Sequence, residues 1–144
     1  MKKSFSKGII HRRQFVISKT GFEHDGFLTI SMENGYMLSY QKELNVTRLG
    51  DGNYLLGYAF SCKTVGGIYL SGNVEDCIRS WAGRWILVTR DSIYLDAAGT
   101  LGLFYGYDKN RDFICSSSLA LLHNLIPGSS WISNIRLERG NGLF

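Results

Sequence analysis

Asp96, Ser116, Ser117 and His123 supply the residue types of a nucleophilic hydrolase: a carboxylate, a hydroxyl and an imidazole. In such a site the imidazole takes the hydroxyl proton while the carboxylate orients the ring. Neither serine stands in the G-x-S-x-G turn that lifts a nucleophile above a sheet. Helix capping and an ordinary surface histidine account for them better. His11, His24 and His123 lack metal-ligand spacing, and no cysteine or carboxylate cluster joins them. Gly50 to Gly57 and Gly66-Gly67 lack the G-K-[ST] ending of a phosphate loop. Trp81 and Trp85 bracket an apolar patch suited to core and partner contact rather than to a ligand cage. The three cysteines, Cys62, Cys77 and Cys115, form no C-x-x-C pair. They are expected to be reduced thiols acting as small apolar core residues in a cytoplasmic protein.

The elements that would position these residues are mostly strands. At 144 residues the chain suits one domain, residues 1–144, long enough to bury a core. Seventeen glycines against one proline fit many tight turns. Tyr and Phe within alternating runs favour β structure. Strands are expected over Gln14 to Lys19, Phe27 to Met32, Tyr36 to Gln41, Asn45 to Leu49, Tyr54 to Cys62 and Gly66 to Leu70. Glu33-Asn34-Gly35 reads as a hairpin turn between the second and third of these. Asn73 caps a brief helix from Val74 to Trp81, with Asp76 near its positive end. Arg84 to Thr89 and Ser92 to Asp96 form a further hairpin, then Gly102 to Tyr107 pairs with Asp112 to Cys115. Leucines at 119, 121, 122 and 125 suit one amphipathic helix over Ser117 to Leu125, stopped by Pro127-Gly128. A strand meander with helices kept to the outside is α+β.

Charge and hydropathy narrow the partners. The net charge is +4, and Lys2, Lys3, Lys7, Arg12, Arg13 and Lys19 precede the first acid, Glu23. No aromatic stacking pattern or amphipathic helix accompanies that cluster, so neither nucleic acid nor membrane is the expected partner. No apolar stretch approaches the roughly 20 residues of a membrane span, and no secretory leader is apparent.

One stretch goes further. It runs Gly83-Arg84-Trp85-Ile86-Leu87-Val88-Thr89-Arg90-Asp91, then Leu95-Asp96-Ala97-Ala98-Gly99, then Leu103-Phe104-Tyr105-Gly106-Tyr107, and closes with Ser116-Ser117-Ser118-Leu119. It resembles the second half of the glutaminase domain of asparagine-synthetase-like proteins and other class II glutamine amidotransferases, which have an N-terminal-nucleophile hydrolase fold. The family patterns are G-x-F-A-F-A-L-W-D, A-R-D-P-L-G-I-K-P-L-Y-Y-G and A-S-E-L-K-A-L. The resemblance covers roughly Tyr54 to Leu125 and implies two stacked antiparallel sheets flanked by helices, an αββα arrangement with reduced helical layers. Trp85, Leu87, Phe104 and Ile114 would point into its core.

The family's chemistry is missing. Its nucleophile is a cysteine directly after the initiator methionine, whose free α-amino group serves as base; here that position is Lys2. The oxyanion-hole segment N-G-E-I-Y-N corresponds to Leu56-Gly57-Tyr58-Ala59-Phe60-Ser61, which keeps Gly57 but places Leu56 for the amide donor and Tyr58 for the acid. The R-G-P-D turn has no counterpart, and the S-D-x-E segment survives at most as Ser71-Gly72-Asn73. Asp96 and Gly99 are kept and read as structural: Asp96 receives turn N–H bonds, while Gly99 supplies a conformation that a side chain opposes. Leu56 and Tyr58 would fill the former cleft and dry it.

The resemblance thus implies a domain without glutaminase activity, serving as scaffold or docking domain of an asparagine-synthetase-like, ATP-dependent amide-forming enzyme. This domain itself would need no cofactor and no metal. ATP and magnesium would belong to a synthetase domain beyond Phe144. The partner would be that domain, another protein, or a second copy of the chain in a homodimer. The alternative is a stand-alone ligand-binding or protein-interaction module on the same fold.

Overall fold

Alternating runs punctuated by Gly, Asn and Asp give this chain short strands joined by tight turns. A computed structural model describes residues 13–63 and 67–126. Lys2, the basic N-terminal cluster, the Pro127-Gly128 stop and the apolar residues after Ser129 lie outside them. Among the described residues the order is β1 (Phe15–Ser18), β2 (Phe27–Ser31), β3 (Met37–Gln41), β4 (Val46–Leu49), β5 (Asn53–Ser61), α1 (Val74–Ile78), β6 (Trp81–Val88), β7 (Ile93–Leu95), β8 (Phe104–Tyr107), β9 (Phe113–Ser116) and α2 (Leu119–Leu125). The chain divides into two compact units, one of residues 13–44 with 102–126, the other of residues 45–63 with 67–101.

The first unit holds an antiparallel sheet in the order β2-β3-β1-β9-β8. The β2–β3 hairpin turns at Asn34-Gly35, where Gly35 has φ +83° and Asn34 Oδ1 accepts the Tyr36 N–H at 3.1 Å. Period-2 alternation puts Val16 and Ile114 on one face, where Leu121 and Leu122 of α2 cover them together with Phe22 and Ile126. Phe27, Phe104 and Leu125 pack half-buried around that cluster. Ile17, Leu38 and Cys115, on the opposite face, are fully buried as well. Helix α2 is anchored at its start by Ser118, whose Oγ accepts the Leu121 N–H at 3.3 Å.

The second unit holds an antiparallel sheet in the order β4-β5-β6-β7. Leu55, Trp85 and Leu87 are buried on one face, against Leu70, Val74, Ile78 and Trp81 among others. Trp81 and Trp85 meet edge to face, their ring centroids 5.3 Å apart. Leu56, Ile86, Val88 and Ile93 are buried on the other face. Asn73 caps α1 by accepting the Asp76 N–H at 3.2 Å.

These findings correct the expected fold class. Strands make up 41% of the described residues and helix 11%, in two short helices, so this is a small β-rich chain and not an αββα fold of the N-terminal-nucleophile type. A five-residue α1 and a seven-residue α2 are too short to form helical layers over a sheet. Two local expectations also shift. Residues 67–70 form no strand, and α1 ends at Ile78 because Trp81 to Gly83 are drawn into β6 by pairing with Ala59 to Ser61.

Candidate functional site

The second unit presents a feature made by unequal strand lengths. β5 runs nine residues, yet β4 pairs only with its first part, from Leu49↔Asn53 to Val46↔Leu56. The last tie on that side joins Asn45 and Gly57: the Gly57 N–H donates to the Asn45 carbonyl at 2.8 Å, and Asn45 Nδ2 donates to the Gly57 carbonyl at 3.1 Å. On the far side, β7 pairs with β6 only from Ile86 to Val88. Residues 58–61 and 81–84 therefore continue as a two-stranded arm.

A pair of glycines makes the arm possible. Gly57 has φ +88°, and a Cβ there would overlap the Arg84 carbonyl oxygen; Gly83 stands in the same relation to the Tyr58 carbonyl. The backbones approach across the Tyr58↔Arg84 pair more closely than side-chain-bearing residues permit. Beyond this point β5 changes from buried to alternating exposure. Tyr58, Phe60, Ala82 and Arg84 share one face, with Tyr58 57% and Phe60 69% exposed. Beside β5 an open concavity of about 210 Å³ is lined by Thr47, Leu55, Ala59 and Ile68 and also by Tyr58 and Phe60.

Asp96 fastens the base of the arm. Its side chain is only 3% exposed and accepts N–H bonds from Trp85, Ala98 and Thr100 at 3.0 to 3.2 Å, and the Thr100 hydroxyl at 2.6 Å. Burial pushes its pKa up, but the hydrogen bonds from Thr100, Trp85 and Ala98 outweigh that and leave the carboxyl below its ordinary range. Gly99 closes the turn at φ +60°, its N–H donating to the Asp96 carbonyl at 2.9 Å.

The sequence-derived positions separate as follows. Lys2 lies outside the described residues. Leu56 is fully buried beside Ile86, while its neighbour Tyr58 is exposed on the arm, so Tyr58 does not fill a dry cleft as expected. Gly57 lies between them, its N–H engaged by Asn45. Ser116 Oγ accepts the Ser118 N–H and Ser117 Oγ accepts the Phe15 N–H, both at 3.1 Å, so both hydroxyls hold turns. His123 is exposed on α2. Asp96 belongs to the other unit, with its oxygens occupied by Thr100, Trp85 and Ala98. Of the thiols, Cys115 is buried, and burial pushes its pKa well up. Cys62, expected in the core, is exposed, and Cys77 is half-buried with its thiol 3.2 Å from the Ser71 carbonyl. No group of three or more His, Cys, Asp or Glu among the described residues could hold a metal ion. No helix there is long and apolar enough to cross a membrane.

Comparison with known protein families, curated proteins and solved structures gives no match. Sequence reasoning missed the arm. The signal was the pair Gly57 and Gly83, spaced to flank the Tyr58↔Arg84 pair diagonally once β6 is allowed to begin at Trp81.

Proposed function

We propose that this chain is a non-catalytic docking domain that meets its partner through the aromatic face of the β5–β6 arm. The observation that carries this reading is the pair Tyr58 and Phe60, both more than half exposed on one strand face. Water is a poor solvent for such rings, and burying two of them supplies the kind of anchor that dominates protein contacts. A hairpin fixed at its base by Asp96 and the Trp85 core presents them with little conformational freedom left to lose.

The partner class follows from the motifs between Gly83 and Leu119, which resemble the glutaminase half of asparagine-synthetase-like proteins. It is an adenylating, amide-forming synthetase domain, to which ATP and magnesium would belong. Lys2 in place of the cysteine, and Leu56 in place of the amide donor, leave this chain without the parts for glutamine hydrolysis.

The test is calorimetric titration of the chain against an asparagine-synthetase-like synthetase domain. Wild type is expected to bind, and the Tyr58→Ser/Phe60→Ser variant to bind at least about tenfold more weakly, with unchanged melting temperature. Equal binding by the variant overturns the reading. So does glutamate release from glutamine that disappears on substitution of one cysteine or serine.

A further inference from the structure

We infer that the lane beside residues 58–61 of β5 takes an extended, acidic peptide segment of a partner protein as an added antiparallel strand. The inference rests on the docking reading and specifies its chemistry.

The lane is defined by hydrogen-bond direction. The Gly57 N–H and carbonyl both face Asn45, away from β6, whereas the Cys62 N–H donates to the Ser80 carbonyl on the β6 side. Alternation between these two fixed points turns the N–H and carbonyl of Ala59 and Ser61 away from β6. The pairing of β4 with β5 ends at Val46↔Leu56 and the Asn45–Gly57 tie, so β4 does not pair with Ala59 or Ser61. No backbone hydrogen bond among the described residues meets these groups from that side. An open strand edge of this kind is completed by another strand, because only extended backbone repeats its donors and acceptors at the right spacing.

Side chains on both faces suit such an occupant. Residues of the added strand opposite Tyr58 and Phe60 lie beside the two exposed rings. The concavity beside the lane is walled by Leu55, Ala59 and Ile68 as well as by Tyr58 and Phe60, so the residue opposite Ala59 meets an apolar surface that suits an aliphatic side chain. Charge selects further. From Asn53 to Lys63 and from Trp81 to Val88 the only ionic side chains are Lys63 and Arg84, both exposed and both cationic. A second copy paired antiparallel along residues 58–61 would set Lys63 opposite Leu56 and leave Arg84 one strand back on β6, so it would bring no acidic side chain to either cation. An acidic segment from another protein is favoured.

The experiment selects short random peptides displayed on phage with the full chain, then measures the enriched peptides by fluorescence anisotropy. Enrichment of alternating apolar residues with Asp or Glu is expected. N-methylation of the peptide amides that face β5 should weaken binding by at least about tenfold. Ala59→Pro, which removes a lane-facing donor, and Phe60→Ser, which leaves the backbone intact, should each lower affinity. Arg84→Glu should reverse the preference for acidic peptides. Indifference to N-methylation overturns the proposal, as does the absence of any enriched peptide. Self-association that Ala59→Pro abolishes, without peptide enrichment, also overturns it and makes a second copy the occupant. Peptide binding of this kind without binding of the synthetase domain would sink the partner assignment alone. Synthetase binding that depends on Tyr58 and Phe60 but not on the lane would sink strand addition alone.

Discussion

At the scale of single residues, Asp96 joins sequence to stability most directly. Its carboxylate is buried, and three N–H groups and a hydroxyl converge on it, so it is held ionised. A folded-state pKa below the unfolded one contributes stability that is fully present above the unfolded value, roughly 4 for aspartate. That contribution fades as pH falls through the folded value. The chain should therefore lose stability on acidification below about pH 4, and Asp96→Ala, which has no carboxyl to titrate there, should lose less over the same interval. At neutral pH that variant should be destabilised by about 2–4 kcal/mol, since it strands several donors; denaturant melts at both pH values check the pair. The turn role of Asp96 was legible because Asp-x-x-Gly is local turn chemistry within residues 96–100, whereas its hold on the Trp85 N–H depends on strand pairing. Thiol exposure was not legible, since it depends on which strand face a residue takes. Iodoacetamide on the native chain should modify Cys62 and Cys77 and spare Cys115, with all three reacting after denaturation; mass spectrometry of the peptides reads this. Native-state labelling of Cys115 would contradict its burial.

At the scale of elements, the strands were largely readable and their partners only in part. β2, β3, β5 and β9 follow alternating or continuous apolar runs bounded by turn residues, and adjacent hairpins such as β2–β3 and β8–β9 are closed by nearby signals. Pairing of β1 with β3 skips over β2, and its pairing with β9 joins Val16 to Ser116 and Ile17 to Cys115 from opposite ends of the described chain, which no local pattern encodes. The same limit hid the arm. Residues 81–83 read as the end of a helix, but pairing with 59–61 makes them strand. The glycine pair enforces this approach, and Gly57→Ala should cost at least about 2 kcal/mol, combining an unfavourable left-handed backbone with a clash against the Arg84 carbonyl. Chemical denaturation measures the loss, and intrinsic fluorescence should change with it because Trp85 lies directly opposite Gly57. A variant as stable as wild type would mean the β5–β6 approach is looser than described.

At the scale of the whole molecule, the correction of the fold class changes which argument supports function. The motif stretch from Gly83 to Leu119 resembles a glutaminase half, yet its parts lie among described residues that form two small sheets with two short helices. Motifs of turn and strand type survive in many architectures, because Asp and Gly in a tight turn or apolar alternation in a strand answer to local physics. The docking reading therefore stands on the exposed rings, and the resemblance serves to name the partner. Docking also has a thermodynamic consequence for the entire chain. A partner that binds only the folded state raises its stability by about 2.7 kcal/mol at a free concentration one hundred times Kd. With the synthetase domain in that excess, the melting temperature of the wild-type chain should rise by several degrees. The Tyr58→Ser/Phe60→Ser variant, unchanged alone, should show little of that rise. Because the chain carries a net charge of +4 and its arm is cationic, the gain should shrink as salt is added. A shift equal in both proteins would place the contact elsewhere on the chain. A shift indifferent to salt would remove the acidic character assigned to the partner while leaving the aromatic contact intact.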